Sequence, residues 1–302
     1  MIETNSVRAW LLAARPKTLA GAAGPVIMAL CASWADLRNA GGALMWVPAV
    51  LCLLFALLMQ VDANFVNDYF DFKKGRDERG ERLGPPRACT EGWITPQAMG
   101  WGIGITTALS CLTGLPLVVW GGWWMVAVGM ACVVFCFLYT TLLAGLGLGD
   151  VLVLIFFGLV PVCATYFIQT GTVTLDVVLL SVGMGMATDC LLVVNNYRDR
   201  EQDHIMGKRT IVVLLGERFA EWLYLLLGII AVALPWVRTL PPTVWSWEML
   251  IPTIYLIPHS RTWLKMKRLH SGRELNSVLG QTAANILLFA ILESVALIIH
   301  IQ

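Results

Sequence analysis

A chain of 302 residues that is 58% hydrophobic and 14% charged, with a mean hydropathy of +0.72, is not a soluble globular enzyme. Soluble domains carry roughly 45–50% apolar and about 25% charged residues. The net charge of +1 gives no reason to expect a nucleic-acid partner. Seven of the eight cysteines (Cys31, Cys52, Cys111, Cys132, Cys136, Cys163 and Cys190) sit in apolar runs, and only Cys89 lies in a polar stretch. With no C-x-x-C spacing, they read as small reduced hydrophobes rather than a metal or redox site.

In chain order, residues 1–17 carry Arg8, Arg15 and Lys17 around a short amphipathic patch. It is expected to be a segment lying on the membrane face rather than a cleavable signal. A helix needs about 20 apolar residues to cross the hydrocarbon core. Nine apolar stretches come near that length, at about 18–35, 44–66, 96–119, 123–143, 150–170, 173–194, 219–236, 244–258 and 278–299. The expected architecture is an all-α integral membrane protein: a single domain over 1–302, with nine transmembrane helices bundled around a central cavity. Nineteen of the 21 Lys and Arg residues fall on one side: before the first stretch and after the second, sixth and eighth. Only Arg38 and Arg238 fall on the other. By the positive-inside rule the N-terminus is cytoplasmic and the C-terminus outside.

Two cytoplasmic loops, about 67–95 and 196–218, carry most of the charge, and each opens with a similar pattern. The second stretch ends in Gln60, Asn64 and Asp68, spaced i, i+4, i+8 on one helix face, and runs on through Asp71 and Asp77 in NDYFDFKKGRD. The sixth ends in Asn195, Asp199 and Asp203 at the same spacing, in NNYRDREQD. Carboxylates gathered from two helices repel one another unless a cation joins them. Oxygen-only donors without a Cys or His cluster point to Mg²⁺, which takes one or two carboxylates and completes its shell with substrate phosphate oxygens. The expected ligands are Asn64, Asp68, Asp71, Asp77, Asn195, Asp199 and Asp203, holding two or more ions. Lys73, Arg87, Arg198, Lys208 and Arg209 supply point-charge and forked donors suited to a diphosphate. With apolar walls beyond, this suits an isoprenoid diphosphate whose tail lies toward the lipid bilayer.

NDYFDFKKGRD, followed some 130 residues later by NNYRDREQDHIMGKRT, resembles the paired Asp-rich motifs of the UbiA superfamily of membrane prenyltransferases. Four further stretches resemble its 1,4-dihydroxy-2-naphthoate branch: ARPKTLAGAAGPV (14–26), LGPPRA (83–88), GLGDVLVLIFFGLVPVCATYFIQTG (147–171) and GKRTIVVLLG (207–216). The likeness covers nearly the whole chain. One departure is that Phe72, not an acid, stands four residues beyond Asp68, so Asp71 and Asp77 take that role at a different spacing. The resemblance implies nine spans and a place in the inner (cytoplasmic) membrane of a bacterium. It further implies Mg²⁺-dependent transfer from a polyprenyl diphosphate to 1,4-dihydroxy-2-naphthoate, with loss of CO₂, giving a demethylmenaquinol in menaquinone biosynthesis. Asp68, Asp71, Asp199 and Asp203 would carry the metal-assisted ionisation. Lys17, Tyr139, Asp150 and Gln169 are the candidates for the acceptor side.

Other acids read differently. Asp62 and Asp189 lie within spans below the two clusters and are expected to make structural hydrogen bonds, while Glu293 lies in the ninth. Asp150 opens the fifth stretch, where a carboxylate is favourable at a helix N-terminus. Sibling transferases acting on 4-hydroxybenzoate, haem or a chlorophyllide are the nearest alternative. A secondary transporter is remote, since transporters place such acids near the bilayer centre. A CDP-alcohol phosphatidyltransferase lacks support because its D-G-x-x-A-R core is absent.

Overall fold

The structure is a computed structural model describing residues 2–75, 83–235 and 247–299, and every regular element in it is a helix. A short helix, α1 (Val7–Ala14), is capped by Ser6 and closed by Arg15, whose left-handed backbone (φ 51) turns the chain into the next element. There follow α2 (Leu19–Asn39), α3 (Trp46–Lys73), α4 (Pro96–Gly114) and α5 (Trp124–Thr141). Then come α6 (Gly149–Thr170), α7 (Leu175–Ile205), α8 (Glu217–Ala233), α9 (Leu256–Leu269) and α10 (Leu275–Ile299). Thr95 caps α4 with Pro96 in the first turn, and Thr174 caps α7, each accepting from an amide three residues on.

Among the described residues, seven helical segments are long and apolar enough to cross a membrane, from Val7–Asn39 to Leu275–Ile299. The stretch expected at 219–236 forms α8, a helix of 17 residues. The one expected at 244–258 begins outside the described residues and enters as a 3₁₀ segment (Trp247–Tyr255) that continues into α9. Apolar side chains stand exposed along the outside, with Trp46, Trp101, Trp123 and Trp247 near helix ends, where amphipathic rings suit the membrane interface.

Lipid is as apolar as leucine, so the interior holds through close packing and hydrogen bonds between helices rather than through burial of oil from water. At the α6–α7 crossing a Cβ on Gly158 would meet the Ser181 carbonyl oxygen at 2.5 Å and the Gly185 Cα at 2.7 Å. Only hydrogen fits there. Gly158 itself lies within a single π turn of α6 (Ile155–Leu159). The intramembrane acid Asp62 is fully buried and accepts hydrogen bonds from the Thr106 and Thr107 hydroxyls of α4. A second buried polar cluster ties α8, α9 and α10: Tyr224 stacks on His259, His259 bonds Tyr255, and the Tyr224 hydroxyl meets Thr282.

Candidate functional site

A cavity of about 1210 Å³ opens between α2, α3, α4, α5, α6, α7 and α10. One end is polar, bordered by Asn67, Asp71, Arg87, Asn195, Asp199 and Asp203. The rest is walled by Phe55, Met59, Val133, Phe156 and other apolar side chains. Helix periodicity decides who faces it. On α7 the cavity is bordered by Thr188, Leu191, Leu192, Asn195, Asn196, Arg198, Asp199, Gln202 and Asp203, so the row Asn195, Asp199 and Asp203 spaced i, i+4, i+8 lies along that wall. On α3 the cavity face is Cys52, Phe55, Ala56, Met59, Gln60, Ala63, Asn67 and Asp71.

That register corrects the expected α3 ligands. Asn64 turns toward the N-terminal segment, where its amide donates to the Ala14 carbonyl and the Thr18 hydroxyl. Asp68 is buried against the loop after α3, its carboxylate accepting the backbone N–H groups of Ala88 (2.8 Å) and Cys89 (2.9 Å). Neither borders the cavity. Asp68 is the anchor that folds the Arg87 loop back onto α3. Asn67 takes the position expected of Asn64; its side chain meets the Thr140 hydroxyl. Asp77 lies outside the described residues.

Asp71, Asp199 and Asp203 each stand beside a cation. Arg87 reaches Asp71 at 2.8 Å, Lys208 reaches Asp203 at 2.6 Å, and Arg198 grips Asp199 with two N–H groups at 2.7 and 2.6 Å. The same Arg198 guanidinium also donates to Asn195 and to Asn276 of α10. Asn276 in turn donates to the Leu83 carbonyl, tying that loop to the site. Nothing in the sequence around Asn276 marked it, because it stands alone at the start of a different helix. Arg15 and Lys17 also border the cavity. Lys73 and Arg209, expected on the diphosphate, do not border it. The Lys73 ammonium lies over the Tyr69 ring at 4.6 Å, and Arg209 is exposed. The backbone of Arg209 closes against Gly145 and Gly147 instead.

On the acceptor side, Tyr139 and Asp150 border the cavity, and one Asp150 oxygen is buried with no hydrogen-bond partner. Asp189, buried nearby on α7, likewise has one unpartnered carboxylate oxygen. Gln169 is corrected: it sits away from the cavity, its amide bonding both the N–H and the carbonyl of Met45 at the start of α3.

Does this arrangement fit a divalent ion? Among the described residues no three His, Cys, Asp or Glu side chains converge on one point. The cavity offers single carboxylates and amide oxygens on two facing helices, the donor set expected when phosphate oxygens complete the coordination. The three adjacent cations balance the three acids, so a metal and a polyanion can enter together without stranding charge. The residues fit Mg²⁺ bound jointly with a diphosphate.

The sequence matches the UbiA prenyltransferase family over residues 26–289. The chain belongs to that family. Among its relatives, the 1,4-dihydroxy-2-naphthoate octaprenyltransferase of Haemophilus influenzae is 35% identical over 70% of each chain. The enzyme of that name in Escherichia coli is 32% identical over 86% of each. Of solved structures, a UbiA homologue from Archaeoglobus fulgidus bound to GPP and Mg²⁺ superposes with a TM-score of 0.67 at 16% identity, covering 96% of this chain and 99% of that one. The same homologue bound to DMAPP and Mg²⁺ gives 0.66. The fold of this UbiA-family chain is therefore the prenyltransferase fold, and the chain is a transferase of prenyl groups.

Proposed function

We propose that this protein transfers a polyprenyl group from its allylic diphosphate to 1,4-dihydroxy-2-naphthoate, with loss of CO₂, forming demethylmenaquinol for menaquinone biosynthesis. The observation that carries the reading is the set of three carboxylates, each beside its own cation, at the polar end of an otherwise apolar cavity. The naphthoate-specific names of relatives at 30–35% identity support the choice of acceptor.

Asp71, Asp199 and Asp203, with Asn67 and Asn195, would hold two or more Mg²⁺ ions. Bound there, the metal supplies Lewis-acid neutralisation of the charge developing on the leaving diphosphate. Arg87, Arg198 and Lys208 then exchange their carboxylate partners for diphosphate oxygens and stabilise the leaving group directly. The apolar walls exclude water from the allyl cation until the electron-rich naphthoate ring attacks it. Lys17, Tyr139 and Asp150 lie where the ring and its carboxylate would be held. The ring's new bond to the prenyl carbon forms as the carboxylate leaves as CO₂.

In this reading the chain is one domain of nine spans, with the N-terminus cytoplasmic and the C-terminus outside, seated in the inner membrane of a bacterium with the polar end of the cavity on the cytoplasmic side. Residues 1–17 lie along that face. The decisive experiment supplies octaprenyl diphosphate and carboxyl-labelled naphthoate to purified membranes. Expected are demethylmenaquinol and labelled CO₂, lost with EDTA and restored by Mg²⁺. A preference for 4-hydroxybenzoate, or transfer indifferent to chelation, would overturn the reading.

A further inference from the structure

A prenyl tail whose diphosphate sits at Asp71, Asp199 and Asp203 has to lie along the apolar length of the cavity. On α3 that length is a continuous stripe of Cys52, Phe55, Ala56 and Met59. Phe55 precedes Asp71 by 16 residues, roughly 24 Å at the helical rise, so its ring belongs to the deep part of the passage. Opposite it on α4 stands Gly114, which also borders the cavity. A Cβ at Gly114 would meet the Phe55 ring, Cδ2 at 2.9 Å and Cε2 at 3.0 Å.

The backbone of Gly114 is ordinary right-handed helix (φ −80, ψ −36), which any residue adopts. Conformational freedom therefore does not explain the glycine. Two other glycines of α4, Gly100 and Gly104, have nothing within 4 Å of an added Cβ. At Gly114 the missing side chain is filled by the aromatic ring, which lies back against bare helix backbone while bordering the lumen.

We propose that Gly114 determines prenyl chain length. By letting Phe55 retract against α4, it keeps the deep end of the cavity open to long polyprenyl tails. A side chain at 114 displaces the ring toward the nearest free volume, the cavity itself, and shortens the tail that fits. The inference rests on the prenyl-transfer reading above and specifies which donors that site takes.

The test is competition between geranyl and octaprenyl diphosphate for one acceptor in membranes carrying wild type, Gly114→Ala, Phe55→Ala or both changes. Gly114→Ala is expected to lower the octaprenyl-over-geranyl ratio of kcat/KM by about tenfold or more, the discrimination one methyl group commonly gives in an apolar pocket. Adding Phe55→Ala returns the ratio to that of Phe55→Ala alone. A ratio unmoved by Gly114→Ala, with both donors slowed equally, overturns the inference while leaving prenyl transfer intact; so does a double variant that stays shifted. If Gly114→Ala does not accumulate, Phe55→Ala decides alone: widening raises the ratio, and an unchanged or lowered one overturns the proposal. A wild type that transfers neither chain overturns the functional reading and this inference together.

Discussion

Two neighbouring aspartates on one helix do different work. Asp71 faces the cavity and pairs with Arg87, whereas Asp68 faces protein and holds two backbone amides. Asp71→Asn should abolish transfer while leaving the melting temperature of the purified protein close to wild type. Asp68→Ala should lower that temperature, because two buried N–H groups lose their acceptor at about 1–3 kcal/mol each. A chemical reporter sits beside it. Burial, with Asp68 adding to it, pushes the Cys89 thiol well above its ordinary range. The thiolate is thus scarce at any pH where a free cysteine reacts. Maleimide labelling of Cys89 should be slow in the wild type and in Asp71→Asn. It should accelerate in Asp68→Ala as the loop undocks, and equal rates in all three would refute the anchoring role.

At the scale of elements, α7 is the organising helix. Its cavity face holds the acids, and another face meets α6 where Gly158 and Gly185 bring backbones into contact. Gly158→Val should destabilise the fold strongly, since the obstruction is backbone and cannot turn aside; thermal unfolding in detergent reads this. Gly104→Ala on α4, with open space around it, should be tolerated. The same periodicity arithmetic that set Asn195, Asp199 and Asp203 on one face of α7 selected the wrong stripe on α3. One residue turns a helix by about 100°, and sequence offers both Gln60–Asn64–Asp68 and Gln60–Asn67–Asp71 as polar rows. Only the packing of Asn64 on Ala14 and Thr18 chooses between them.

For the whole molecule, the sorting of Lys and Arg predicts the orientation. A reporter active only outside the cytoplasm, fused after Gln302, should be active, and one fused after a residue of the 196–218 loop should be silent. The reverse pattern would invert the proposed topology and put the diphosphate site on the wrong side of the membrane. The cavity belongs to this scale too: α3, α7, the start of α10 and the loop before α4 all contribute to its polar end, and none of them forms a site alone.

Hydropathy and motif alone make this a helical membrane protein with two acidic helix ends of the family pattern. Hydropathy, charge and motif are sums over nearby residues and need no partner to be read. Contacts between helices set which face of α3 looks inward, make Asp68 an anchor and Gln169 a strut, and join Asn276 to Arg198. They also seat Phe55 where Gly114 has no side chain. Each of these depends on the rotation of one helix against another, a quantity fixed by contacts between residues distant in the chain.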